Sequence, residues 1–138
     1  MLAFLLCILG AYFLGSVSFA IIIAKRGKLP DPRTIGSKNP GATNILRHSG
    51  PGYGLLVLFA DFLKGLIPIL VAAQFQLSSL EQSLVGIAAI IGHIFPFYYG
   101  FKGGKGVATS FGVIFALSPS LGLAGLLTWL GMALCFRY

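Results

Sequence analysis

The chain has 138 residues, of which 57% are hydrophobic and 9% charged. Soluble domains carry about 25% charged residues, so these figures exclude a soluble globular protein and define an integral membrane one. The net charge of +7 rests on ten basic and three acidic side chains. With no basic stripe interleaved with exposed aromatics, that excess reads as the positive-inside rule rather than as nucleic-acid binding.

A helix needs about 20 apolar residues to cross a hydrocarbon core of roughly 30 Å, and residues 1–24 supply the first such run. It has no basic residues ahead of it and is too long for a signal peptide. Lys25 and Arg26 follow it, which places the N-terminus outside. Residues 25–53 form a polar, Pro- and Gly-rich segment carrying Lys25, Arg26, Lys28, Arg33, Lys38 and Arg47. A second span is expected from Gly54 to Phe75, a short link containing Glu81 follows, and a third span runs from Gln82 to Tyr99. The loop with Lys102 and Lys105 comes next.

Val107 to Phe136 would be about 45 Å long as one helix, too long for a bilayer without heavy tilt. Ser118-Pro119-Ser120 is a natural turn that divides it into two short spans. Five spans put residues 25–53, residues 101–106 and Arg137 on the cytoplasmic side and leave the outside links free of Lys and Arg. The expected architecture is therefore all-α, a single membrane-embedded domain over residues 1–138. It has about five transmembrane helices, the N-terminus outside and both glycine-rich loops on the cytoplasmic face.

Those two loops carry the chemistry. The first runs Gly36-Ser37-Lys38-Asn39-Pro40-Gly41-Ala42-Thr43-Asn44-Ile45-Leu46-Arg47. Asn39 suits an N-cap and Pro40 the first helical position. A helix from Pro40 places Thr43, Asn44 and Arg47 on one face, with N-terminal amides aimed at an anion and the Ser37 hydroxyl just outside. The same residues also suit a plain capped turn in which Ser37 and Thr43 satisfy the backbone.

The second loop runs from Gly100-Phe101-Lys102-Gly103-Gly104-Lys105-Gly106 into Val107-Ala108-Thr109. Gly103, Gly104 and Gly106 are free to take positive φ and wrap an anion between Lys102 and Lys105; a flexible turn whose lysines fix topology is the rival reading. Neither loop matches a Walker A motif, so ATP hydrolysis has no support.

His93, near the end of span three, is a minor ligand candidate, since a lone helical His more often packs. Asp61 and Lys64, at i,i+3 spacing inside a span, read as a neutralising ion pair that braces the first loop. Cys7 and Cys135 read as small apolar residues. Three acids in the whole chain leave no metal site and no paired-carboxylate chemistry.

The run Pro30-Asp31-Pro32-Arg33 through Gly36-Ser37, Asn39-Pro40-Gly41-Ala42-Thr43-Asn44 and Arg47 resembles the first motif of the bacterial acyl-phosphate:glycerol-3-phosphate acyltransferases. Asp61-Phe62-Leu63-Lys64-Gly65 resembles that family's second helix. Gly92-His93, Pro96 and the stretch from Gly100 to Thr109 resemble its second motif. The resemblance covers essentially the whole chain. Lys38 stands where the family usually has glycine, adding charge and removing backbone freedom.

The resemblance implies acyl transfer from acyl phosphate to the 1-hydroxyl of glycerol 3-phosphate, giving lysophosphatidate in phospholipid synthesis. It implies no cofactor, no acyl-CoA donor, a bacterial inner-membrane location with the site facing the cytoplasm, and a link to the enzyme that forms the acyl phosphate. Carried over residue by residue, it makes Ser37, Arg47 and Lys105 the catalytic candidates. Asn39, Gly41, Thr43, Asn44, Lys102, Gly103, Gly104 and His93 become substrate-binding candidates.

Family members continue through two further helices to a third motif rich in His, Asn and basic residues. On the resemblance the chain is expected to be C-terminally short of that motif. The rival readings are a transporter or channel for a phosphorylated anion and an inactive fragment of the acyltransferase.

Overall fold

The computed structural model describes residues 1–136, and every regular element in that range is helical. In chain order these are α1 (Leu2–Gly15), α2 (Phe19–Arg26), α3 (Ala42–Ser49), α4 (Pro51–Gln74), α5 (Ser79–Ile94), α6 (Val107–Leu117) and α7 (Pro119–Phe136). A 3-10 turn covers Phe97–Tyr99. The expected cytoplasmic placement of Arg137 lies outside the described residues.

The expected first span is two helices, not one. Its rod breaks at Ser16-Val17-Ser18, and α1 and α2 meet at a bend of 44°. α4 and α7 are each long and apolar enough to cross a membrane, as is α5 taken on to Tyr99, and the bent pair counts as a fourth crossing. The break expected at Ser118-Pro119 is present, with Pro119 opening α7. α6, however, has 11 residues, about 16 Å at the α-helical rise, roughly half a hydrocarbon core. Among the described residues, length and composition thus give three crossings, or four with the bent pair taken as one span, where about five were expected. The third span also begins earlier than Gln82. Ser78 caps α5 in a capping box with Glu81, whose carboxylate accepts from the Ser78 amide at 2.8 Å, so Glu81 is helical and not part of the link.

Glycine sets how closely the helices pack. A Cβ at Gly15 would meet the Ala89 carbonyl, and one at Gly92 the Tyr12 carbonyl, so α1 and α5 touch backbone to backbone. Gly65 against the Thr109 carbonyl and Gly112 against the Phe62 carbonyl do the same for α4 and α6. Lipid tails are as apolar as leucine, so close van der Waals approach through small residues replaces the hydrophobic drive. Gly112→Val is therefore expected to destabilise the fold by about 1–3 kcal/mol. Gly10→Ala, where a Cβ meets nothing within 4 Å, is expected to be neutral; thermal unfolding in detergent reads both.

Two apolar clusters lie toward opposite ends of α4. One joins Cys7, Ala11, Ala72, Val85 and Ala89; the other joins Ala20, Ala24, Ile45 and Val57. Between Val57 and Ala72 the same helix carries Asp61 and Lys64, both buried, at the level of buried Ser16, Ser18, His93 and Thr109. A polar layer inside a membrane protein is costly unless its groups satisfy one another. Both glycine-rich loops meet it.

Candidate functional site

The first loop is built around Asn44. Its side chain is 4% exposed. The amide nitrogen donates to the carbonyls of Pro32 (2.8 Å), Ile35 (3.2 Å) and Asn39 (3.1 Å), and its oxygen accepts from the Ser37 amide at 3.3 Å. Both N–H groups of the carboxamide are thereby engaged, one of them shared between two carbonyls, so Asn44 organises the loop from inside. Arg33 grips Asp31 through two nitrogens, the shortest contact 2.6 Å. That side-chain hydrogen bond, helped by the Arg33 backbone amide, holds the Asp31 carboxyl below its ordinary range.

The helix after this loop starts two residues later than expected. Its N-cap is Gly41 at φ −140°, with no side-chain cap from Asn39. The Asn39 carbonyl accepts from both the Gly41 amide (2.9 Å) and Asn44, which fixes Asn39-Pro40-Gly41 as a turn. Thr43 and Arg47 are exposed on α3 whereas Asn44 and Ile45 point inward, so the expected three-residue face is divided. Lys38 has φ +57°, in the left-handed region that costs a side-chain-bearing residue roughly 1 kcal/mol or more. Lys38→Gly is expected to raise stability by about 1 kcal/mol, read as a higher melting temperature.

The second loop also departs from expectation. Positive φ falls at Gly100, Phe101 and Gly106, not at Gly103 or Gly104. Those two glycines are required for another reason: a Cβ at Gly103 would strike the His93 carbonyl, and one at Gly104 the His93 imidazole. Their amides are engaged as well, Gly103 donating to the Ile94 carbonyl and Gly104 to the His93 carbonyl, each at 3.1 Å. They close the C-terminal end of α5. Among the described residues, the amides of Lys105, Gly106, Val107 and Ala108 have no backbone acceptor; the last three are the N-cap and first positions of α6, where no intrahelical partner exists, and Lys105 immediately precedes them. The bare donors next to Lys105 therefore lie one step further along than the glycine pair suggested.

The two loops share one narrow cleft. Ser16 and Ser18 at the helix break, Pro40 of the first loop, Lys64, His93 and the Gly103-Gly104 pair all line it. Lys64 Nζ lies 2.9 Å from Asp61 Oδ1 and donates to the Val17 carbonyl at 2.8 Å. The expected ion pair is present, and through Val17 it braces the helix break that faces Pro40. Thr109 Oγ1 donates to the Asp61 carbonyl at 3.0 Å and lies 3.2 Å from His93 Nδ1. His93 is 7% exposed and sits behind the second loop. Sequence reasoning passed over Thr109 and Ser16-Val17-Ser18. A hydroxyl on the first turn of a helix and a polar triplet inside an apolar run were the available signals.

Charge distinguishes the surface of the site from its floor. The chain has three acidic side chains, and Arg33, Lys64 and the Ser78 cap engage all three. Arg47, Lys102 and Lys105 are exposed without a side-chain carboxylate beside them. Ser37 and Thr43 are exposed, and Asn39 and Gly41 are partly so.

Fold and site together define a class: an all-helical integral membrane protein with two basic, glycine-rich loops set over one buried polar layer. The family model described as glycerol-3-phosphate acyltransferase matches residues 5–138, and the chain belongs to that family. It is 52% identical to the glycerol-3-phosphate acyltransferase of Thioalkalivibrio sulfidiphilus, the match covering 94% of this chain and 64% of that one. With the Coxiella burnetii glycerol-3-phosphate acyltransferase it shares 49% identity over 99% of this chain and 71% of the relative.

Among solved structures, the glycerol 3-phosphate form of PlsY, an integral membrane glycerol 3-phosphate acyltransferase, superposes with a TM-score of 0.89. That match is at 49% identity and covers 95% of this chain and 66% of the other. The lysophosphatidic acid form gives a TM-score of 0.87 at 48% identity, with coverage of 95% and 65%. The chain spans about two thirds of the length of these relatives.

Proposed function

We propose that the protein transfers an acyl group from acyl phosphate to the 1-hydroxyl of glycerol 3-phosphate, releasing lysophosphatidate and inorganic phosphate. The observation that carries this reading is the pairing of every acidic side chain elsewhere. Arg47, Lys102 and Lys105 remain beside glycine-rich backbone as cations without a carboxylate. Two phosphorylated substrates need such groups. Family membership and the solved glycerol 3-phosphate and lysophosphatidic acid forms of the related PlsY support the same substrate class.

An acyl phosphate is a mixed anhydride and already activated, so positioning and charge stabilisation count for more than a strong base. Ser37, Asn39, Gly41 and Thr43 hold the acyl-phosphate end. Arg47 and Lys105, with the free amides at the start of α6, hold glycerol 3-phosphate and the charge that develops on the leaving phosphate; Lys102 assists. Asn44 shapes the first loop, and His93 backs the second. The glycerol oxygen forms the new ester bond to the acyl carbon, the carbon–oxygen bond to phosphate breaks, and a substrate phosphate takes the hydroxyl proton. The site faces the cytoplasm of a bacterial inner membrane, with the N-terminus outside and the acyl tail supplied from the bilayer. The acyl phosphate comes from an upstream enzyme that forms it.

Incubation with palmitoyl phosphate in lipid tests the direct route. Phosphate release is expected when glycerol 3-phosphate is present, and no palmitoylated protein is expected when it is absent. An acyl-enzyme trapped on Ser37 would replace direct attack by a covalent mechanism.

A further inference from the structure

Four side chains of the buried polar layer are joined to one another by contacts that the proposed chemistry does not use. We infer that Asp61, Lys64, His93 and Thr109 act together as one positioning unit, which sets the first turn of α6 and the second loop for glycerol 3-phosphate without touching it. The inference rests on the reading that this loop receives the glycerol 3-phosphate.

Thr109 is the hub. It is 0% exposed, and it lies on the first turn of α6, the turn whose leading amides are free. A hydroxyl has one proton. Donated to the Asp61 carbonyl at 3.0 Å, that proton leaves the oxygen as the acceptor toward His93 Nδ1 at 3.2 Å. His93 therefore carries its proton on Nδ1, which also points toward Asp61 Oδ1 at 3.8 Å. Nε2 faces Gly104, where a Cβ would collide with it. One hydroxyl thus ties α4, α5 and α6 together at the level of the second loop.

Lys64 extends the tie to a fourth element. Its ammonium bridges the Asp61 carboxylate and the Val17 carbonyl in the α1/α2 break. The adjoining Ser16 and Ser18 form the cleft wall that faces Pro40 and Gly103-Gly104. A charged pair this deep costs desolvation, and a well-packed apolar pair would serve the fold as well. The contacts it makes explain its presence: they fix loop backbone on both sides of the cleft.

The test is hydrogen exchange together with steady-state kinetics on the full chain in lipid nanodiscs, comparing wild type with Thr109→Val and Thr109→Ser. Valine keeps the volume and removes the hydroxyl; serine returns it. Thr109→Val is expected to speed amide exchange in the segment 103–110 and to raise KM for glycerol 3-phosphate about fivefold. KM for acyl phosphate and kcat are expected to stay near wild type, and Thr109→Ser is expected to restore both readouts.

Unchanged exchange in that segment of a folded Thr109→Val protein overturns the inference. A wild type that transfers no acyl group would overturn the functional reading alone, because the exchange comparison still decides the positioning role. Should Thr109→Val fail to fold, the charge-neutral double variant Asp61→Leu/Lys64→Met takes its place. Faster exchange at residues 16–18 and 103–110 is then expected, and wild-type exchange at both overturns the inference.

Discussion

Lys64→Met is expected to produce the largest loss of stability of any single substitution in the described chain. It removes the ammonium that lies 2.9 Å from Asp61 Oδ1 and leaves a carboxylate 3% exposed without its counter-charge. Breaking one member of a buried pair typically costs about 3–5 kcal/mol. The Val17 carbonyl loses its donor at the same time. The expected outcome is a protein that fails to accumulate in the membrane or unfolds well below the wild-type temperature. Asp61→Leu/Lys64→Met, which buries no charge, is expected to recover most of that stability. A folded Lys64→Met protein with a wild-type melting temperature would show that the pair carries no such weight.

Arg47→Ala is expected to give the largest loss of activity. Arg47 is exposed on α3 with no carboxylate beside it, and its removal disturbs no described contact, so the fold should be unaffected. A charged hydrogen bond to phosphate is worth roughly 1.5–3 kcal/mol, which corresponds to a drop of about tenfold to a hundredfold in kcat/KM. Arg47→Lys is expected to recover part of it, since an ammonium supplies the charge without the two-pronged fork. Initial rates at saturating and limiting glycerol 3-phosphate separate a binding loss from a rate loss.

The sequence made the class legible because lipid imposes few solutions. Long apolar runs punctuated by two basic, glycine-rich loops specify membrane helices joined on one face. The break at Ser118-Pro119 and the Asp61–Lys64 pair were equally open, since proline geometry and i,i+3 spacing are local rules. The bend at Ser16-Val17-Ser18 was not, because the element that stabilises it is a lysine 47 residues away. The placement of Asn44 and the backbone angles of Gly103 and Gly104 departed from expectation for a similar reason. A carboxamide on an apparent outward face turned in to hold four backbone groups of its own loop. The glycine pair proved to be a matter of room beside His93, not of positive φ. Periodicity places residues on faces, but it does not say which face the rest of the chain will claim.

The most direct test of the functional account is acyl transfer itself, measured with this chain in lipid vesicles given palmitoyl phosphate and labelled glycerol 3-phosphate. Labelled lysophosphatidate is expected from wild type and from Lys28→Ala, whose exposed lysine follows α2 and belongs to neither glycine-rich loop. It is expected to fall steeply in Arg47→Ala and Lys105→Ala. Equal product from all four proteins would place the site away from the two loops. Label crossing the vesicle membrane without product would contradict the acyltransferase reading and make the protein a carrier.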